Sequence, residues 1–200
     1  MSDNYKESFE KTKKAGEIAA GALDEVAKII KPGIQTDKID KLCYEYINDN
    51  GAYSAPLFYR GFPKSCCTST NHIVCHGIPS DKILKDGDIV NVDVTALKDG
   101  WHGDTSRTYE IGEVSVKAKK LVTTTFDAMM KAIKIIKEDV FLGDIGATIQ
   151  NHVEAEGFSV VQDFCGHGIG RHFHQEPNVL HYGKKGTGER IKAGMIFTIE

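Results

Sequence analysis

Lys85-Asp-Gly87-Asp-Ile89-Val-Asn-Val-Asp93 and Lys192-Ala-Gly194-Met-Ile196-Phe-Thr-Ile-Glu200 share the pattern K-x-G-x-I-x-x-[VI]-[DE], and this repetition decides the fold. The offset between the two stretches is 107 (200 − 93). Upstream of each, a second set of matches runs at an offset of 106 (136 − 30): Ile30-Lys31 with Ile136-Lys137, Ile34 with Val140, Ile39 with Ile145, Ile47 with Val153, and Gly51 with Gly157. One apolar match at a fixed offset means little. The whole series predicts a helix–helix–strand unit used twice, each copy ending on a carboxylate. The expected fold class is α+β, with two pseudo-symmetric halves facing one site.

The local patterns agree with that plan. Ala15, Ile18, Ala19, Ala22, Leu23, Val26, Ile29 and Ile30 recur at helical spacing until Pro32-Gly33 stops them. Thr36-Asp37 is placed to cap a second helix carrying Ile39, Leu42, Cys43 and Ile47, which ends at Asn50-Gly51. Strand-like alternation runs from Asp88 to Val94 and from Thr105 to Ile111. Helical patterns return from about Val116 to Lys137 and from Asp144 to Glu156, and Met195–Glu200 reads as a last strand.

Asp93 and Asp104 are the strongest chemical signal. They are nearly symmetric about Lys98-Asp99-Gly100, a hairpin turn by composition, which predicts them opposite each other on one face. Two carboxylates that close repel unless a proton or a cation lies between them, and a divalent metal both resolves the repulsion and gains oxygen ligands. Two solvated strand acids are the plain alternative, but strand Asp is disfavoured and its neighbours Ile89, Val90, Val92 and Val94 imply burial. Glu200, at the repeat position of Asp93, adds a third acid. Cys165-Gly-His167-Gly-Ile-Gly-Arg-His172-Phe-His174 brings imidazoles into a glycine-rich loop, where backbone can pass close to a site. His76 is a further loop histidine beside glycine; His102, His152, His172 and His181 read as ordinary surface residues.

Other chemistries fare worse. Gly166-His-Gly-Ile-Gly170 lacks the Lys-Ser/Thr of a phosphate loop, no G-x-S-x-G elbow occurs, and the histidine spacing matches neither HExxH nor a structural zinc module. Of 200 residues, 26% are charged and 40% hydrophobic, an ordinary globular balance that excludes disordered and collagen-like classes. A net charge of −3 gives no general case for nucleic acid or an anionic membrane as partner. Met1 to Lys6 opens a polar stretch with no apolar leader core, and no apolar run is long enough to span a bilayer. Five cysteines (Cys43, Cys66, Cys67, Cys75, Cys165) with no CxxC pair fit reduced thiols and a cytoplasmic location.

Taken together, Gly61-Phe-Pro-Lys-Ser65, Val74-Cys-His-Gly-Ile-Pro79, Asp86–Asp93, His102-Gly-Asp104-Thr-Ser106, Cys165–Gly170, His174 with Glu176-Pro177, and Gly194–Glu200 make a specific combination. In it the chain resembles the type I methionine aminopeptidases, metallopeptidases of the pita-bread fold. The resemblance implies metal ligands at Asp93, Asp104, His167 and Glu200, with Asp104 bridging two divalent ions (Mn, Fe, Co or Zn). It implies that His76 and His174 contact the scissile peptide, and that Tyr59, Phe62, Cys67 and Phe173 line a methionine pocket. Arg60 and Phe62 depart from the residues commonest there, histidine and tyrosine. The implied reaction removes the initiator methionine before a small second residue, by attack of a metal-bridging water on the first peptide bond; by its position alone, Glu200 is the candidate general base. Nascent polypeptide N-termini would be the partners, proximity to the ribosome would suit such an enzyme, and a monomer is the family expectation. An Xaa-Pro aminopeptidase and a non-catalytic pita-bread binding module are the alternatives.

The same repeat bears on length. If Glu200 answers Asp93, an acidic counterpart of Asp104 is expected beyond residue 200, where the resemblance also puts a fifth ligand, a glutamate. The expectation is therefore one catalytic domain over residues 1–200, short of its C-terminal part.

Overall fold

The computed structural model describes residues 4–200; Met1, Ser2 and Asp3, the start of the polar N-terminal stretch, lie outside the described residues. The chain divides into two compact units, Met1–Ala118 and Lys119–Glu200.

In the first unit, helix α1 (Asn4–Ile29) precedes α2 (Thr36–Asp49), the short strands β1 (Tyr53–Ser54) and β2 (Cys67–Thr70), and the long hairpin of β3 (Ile89–Lys98) and β4 (Trp101–Glu110). Strand β3 is central, pairing antiparallel with β1, β2 and β4. Its alternation sorts the faces: Val90, Val92, Val94 and Ala96 are fully buried with Ala19, Leu23 and Val26 of α1 and Ile39, Cys43 and Ile47 of α2. Each buried valine, leucine or isoleucine among them contributes roughly 1.5–3 kcal/mol by leaving water. Helix α1 lies so close to β4 that a Cβ on Gly103 would fall 2.1 Å from the Gly16 nitrogen, a contact that only glycine permits. Tyr109 Oη ties the same pair together by donating to the Leu23 carbonyl at 2.6 Å.

Helix α2 is not capped by a side chain of its own. Its N-cap is Gln35, which makes no capping bond. The orphan N–H groups go instead to a neighbouring loop, Thr36 N–H to the Lys82 carbonyl and Asp37 N–H to the Ser80 carbonyl. Thr36 Oγ1 exchanges hydrogen bonds with the Ser80 backbone rather than with the first turn of its own helix.

The second unit contains helix α3, whose first turn crosses the boundary (Val116–Ile135), α4 (Leu142–Ala155), and a two-stranded sheet of β5 (Gly166–Gly168) and β6 (Gln175–Val179). Ala128, Ala132, Leu142, Ile145, Ile149, Val179 and Ile191 form its core.

Internally the two units repeat each other as the sequence predicts. Helices α1 and α3 end at Ile29 and Ile135, and α2 and α4 run Thr36–Asp49 and Leu142–Ala155, every bound displaced by 106 (142 − 36). The backbone repeats even where a side chain does not. Gly33 and Asp139 both hold positive φ (93° and 68°), as do Gly51 and Gly157 (65° and 81°). Ile34 accepts from Leu84 N–H at 2.8 Å, as Val140 does from Ile191 N–H at 2.7 Å. Met195–Glu200, read as a strand, forms none; its one ladder contact is an isolated bridge from Phe197 to Gly168.

Candidate functional site

The β3–β4 hairpin turns on two residues, Asp99 and Gly100, both at positive φ (51° and 80°), the geometry that matches strand twist. A two-residue turn centred there pairs Lys98 with Trp101, and therefore Asp93 with Ser106 and Thr95 with Asp104. The expected direct opposition of Asp93 and Asp104 is thus corrected. The acids share one face but stand diagonally, about 7–8 Å apart along the ladder. Their mutual repulsion is weaker than in direct opposition, and Thr95 Oγ1 donates to Asp104 Oδ1 at 2.7 Å. The burial implied by the neighbouring valines lies on the other face of β3; Asp93 and Asp104 are only half-buried.

Cys67 stands directly opposite Asp93 across β2–β3. Burial first, then the Asp93 and Asp104 carboxylates, push its thiol far above the ordinary thiol range. It stays protonated, a neutral wall beside the acids. Its approach is set by Asp40, whose Oδ1 accepts from Ser65 N–H (2.7 Å), Ser65 Oγ (2.6 Å) and Cys66 N–H (3.2 Å). None of the five cysteines forms a disulfide.

Tyr59 and Phe62 occupy the bend after β1, where Phe58, Arg60 and Gly61 all take positive φ. Phe58 N–H closes it on the Phe62 carbonyl at 2.7 Å. Arg60 is exposed, its guanidinium 5.4 Å from the centre of the Tyr59 ring. His76 is exposed at φ 54°, and the following Gly77 locks its loop to β2. A Cβ on Gly77 would lie 2.2 Å from the Thr68 carbonyl oxygen. Gly77 N–H donates to Ser69 Oγ at 3.1 Å, and Thr68 N–H to the Gly77 carbonyl at 2.8 Å.

In the second unit the glycine-rich loop becomes β5, with His167 between two glycines. Both glycines are required: a Cβ on Gly166 would meet the Thr198 carbonyl oxygen at 2.3 Å, and one on Gly168 the Glu176 carbonyl oxygen at 2.2 Å. His167 is buried, its Nδ1 3.0 Å from the Gly168 carbonyl, which can only accept, so Nδ1 carries a proton. Its Nε2 then points at Glu200 Oε1, 3.3 Å away. A bare imidazole nitrogen facing a carboxylate oxygen is two acceptors together, and only a proton or a metal cation placed between them makes the pair favourable. Partial burial pushes the Glu200 carboxyl up, but a hydrogen bond to His167, through a proton held between the two, and the bond from Thr198 Oγ1 outweigh it and hold the carboxyl below its usual range. His174 stacks on Phe173 (4.2 Å between centroids) and lies 4.3 Å from the His167 ring.

Two of the histidines read as surface residues have other places. His102 is buried within β4. His181 Nε2 accepts the Glu200 backbone N–H at 3.3 Å, and burial keeps its ring neutral against the opposing pull of Glu200. Sequence spacing carries no signal for that bond, because it joins residues 19 apart through a loop. Thr198 is the other contact missed.

The pattern of the metallopeptidase family M24 matches residues 10–200. The chain belongs to metallopeptidase family M24. This M24 chain is 53% identical over 192 residues to a methionine aminopeptidase of Rickettsia prowazekii, covering 96% of this chain and 74% of that one. The crystal structure of methionine aminopeptidase from Rickettsia prowazekii superimposes with a TM-score of 0.95 at 52% identity, over 97% of this chain and 78% of that chain. A prolidase from Pyrococcus furiosus, 24% identical, matches with a TM-score of 0.83 over 97% of this chain and 55% of its own length; at that identity the likeness concerns the fold alone. The M24 assignment and these likenesses establish the α+β pita-bread fold. They also make the chain a peptidase of a family that uses divalent metal.

Proposed function

We propose that this M24 peptidase removes the N-terminal methionine from polypeptides whose second residue is small. The observation that carries the reading is the 53% identity, along 96% of the chain, to a methionine aminopeptidase. Asp93, Asp104, His167 and Glu200 are the ligands of two divalent ions, drawn from Mn, Fe, Co and Zn. The residues fit that role by their chemistry: carboxylates and an imidazole are donors such cations accept, and the His167–Glu200 approach calls for a positive charge. When bound, the metal supplies an acidified water and polarises the peptide carbonyl.

The remaining steps belong to side chains of this chain. Glu200, held ionised, accepts a proton as general base. His76 and His174 contact the scissile peptide and steady the developing tetrahedral carbon. Tyr59, Phe62, Cys67 and Phe173 receive the methionine side chain. Cys67 suits this because its thiol stays neutral, and sulfur–aromatic contacts favour a thioether. Among the described residues no helix is long and apolar enough to cross a membrane. A cytoplasmic location, a monomeric state and nascent chains near the ribosome as partners complete the reading.

The test is a release assay on Met-Ala-Ser and Met-Pro peptides alongside Ala-Pro and Gly-Pro peptides, after chelation and after reconstitution with Mn²⁺ or Co²⁺. Metal-dependent release of methionine from Met-Ala-Ser is expected. Cleavage confined to bonds preceding proline, whatever the first residue, would overturn the reading.

A further inference from the structure

We propose that Thr198 is a positioning residue which sets the His167 backbone and the Glu200 carboxylate in register for a shared cation. The inference rests on the reading of His167 and Glu200 as ligands. His167 N–H donates to Thr198 Oγ1 at 3.0 Å, and Thr198 Oγ1 lies 2.8 Å from Glu200 Oε1. A hydroxyl has one proton to give and two lone pairs to receive. The nearer acceptor is the Glu200 carboxylate oxygen at 2.8 Å, so the threonine proton goes to Glu200. The alternative acceptor, the His167 carbonyl, is 3.5 Å away. The bonds therefore run in one direction, from the His167 amide through the hydroxyl to the Glu200 carboxylate.

Three further features make this a built arrangement. Thr198 N–H returns a bond to the His167 carbonyl at 2.8 Å, so residues 167 and 198 are joined through backbone and side chain together. Gly166 leaves the space in which the Thr198 carbonyl lies; any side chain there would drive the two segments apart. A β-branched residue has a restricted χ1, so the hydroxyl is aimed before a cation arrives. Thr198 and Glu200 are two residues apart, and their side chains meet on one side of the chain.

The experiment is calorimetric titration of Mn²⁺ into the 200-residue chain and its Thr198→Val, Thr198→Ser and Glu200→Gln variants, with hydrogen exchange of the His167 amide followed by NMR in the metal-free proteins. Thr198→Val keeps the shape and deletes the relay; it is expected to weaken Mn²⁺ binding about 10–100-fold, the usual cost of losing a partner behind a ligand. His167 amide exchange should speed up in the same variant. Thr198→Ser keeps the hydroxyl and should recover most of both effects, whereas a purely structural role would leave Ser and Val alike. Thr198→Ala makes the same deletion should the Val variant not fold. Unchanged Mn²⁺ affinity in Thr198→Val, with a loss in Glu200→Gln, would overturn the role of Thr198. Unchanged affinity in Glu200→Gln as well would overturn the ligand reading beneath it.

Discussion

Asp93 and Asp104 lie diagonally across the β3–β4 ladder, each opposite a hydroxyl residue instead of opposite the other. Asp93 faces Ser106, and Asp104 receives a hydrogen bond from Thr95. Two like charges held directly opposite would have to share a proton. Set diagonally, they repel each other less and can both offer oxygens to a cation.

Removing one of these acids should therefore stop the reaction without unfolding the hairpin, since neither belongs to the apolar face. Asp104→Ala is expected to lower methionine release from Met-Ala-Ser by more than about 100-fold. Near-normal turnover with added metal would show that Asp104 is no ligand.

His174 should behave differently from the acids. Its Ala variant is expected to lose about 10²–10⁴-fold in turnover, in the range of general acid–base groups, while bound metal measured by atomic absorption stays near that of the unaltered chain. A parallel loss of metal would move His174 from the substrate to the ligand set.

Gly103→Ala tests the packing of α1 on β4. The new Cβ would fall 2.1 Å from the Gly16 nitrogen, and a helix backbone cannot yield as a flexible side chain can. A loss of about 1–3 kcal/mol in denaturant unfolding is expected, the usual cost of overpacking. Unchanged stability would mean that α1 is free to move off the sheet.

Tyr109 predicts an alkaline limit. Burial pushes its phenol up to about 12, Arg107 opposing, while the unfolded phenol keeps its ordinary value of 10.0. The folded chain thus holds a proton that the unfolded chain releases. The contribution is complete below pH 10 and is lost as pH rises from about 10 to 12. Tyr109→Phe, which also gives up the bond to Leu23, should flatten that part of the stability–pH curve. A curve identical in both proteins would contradict the assignment.

Much of the fold is legible in the chain because it rests on local periodicity. Apolar spacing places four helices, and the two stretches ending on Asp93 and Glu200 disclose the internal repeat. Asp139 in place of Gly33 shows the limit of such reading. The left-handed turn persists although the glycine that marks it does not, since aspartate tolerates that conformation.

What the sequence by itself determined is the set of chemical groups and the faces they occupy. Alternation along β3 places Asp93 opposite in sense to Val92 and Val94, and the flanking glycines announce a close approach at His167. Only the tertiary structure decided which groups meet. The diagonal register of Asp93 and Asp104 follows from a two-residue turn, and an error of one residue in its centre shifts pairing by two. The support of α2 by Ser80 and Lys82, of the Glu200 N–H by His181, and of the His167 N–H by Thr198, joins backbone groups to partners brought in by folding. Such bonds depend on where the chain returns to itself, and every residue carries the same backbone donor and acceptor, so no pattern of side chains announces them.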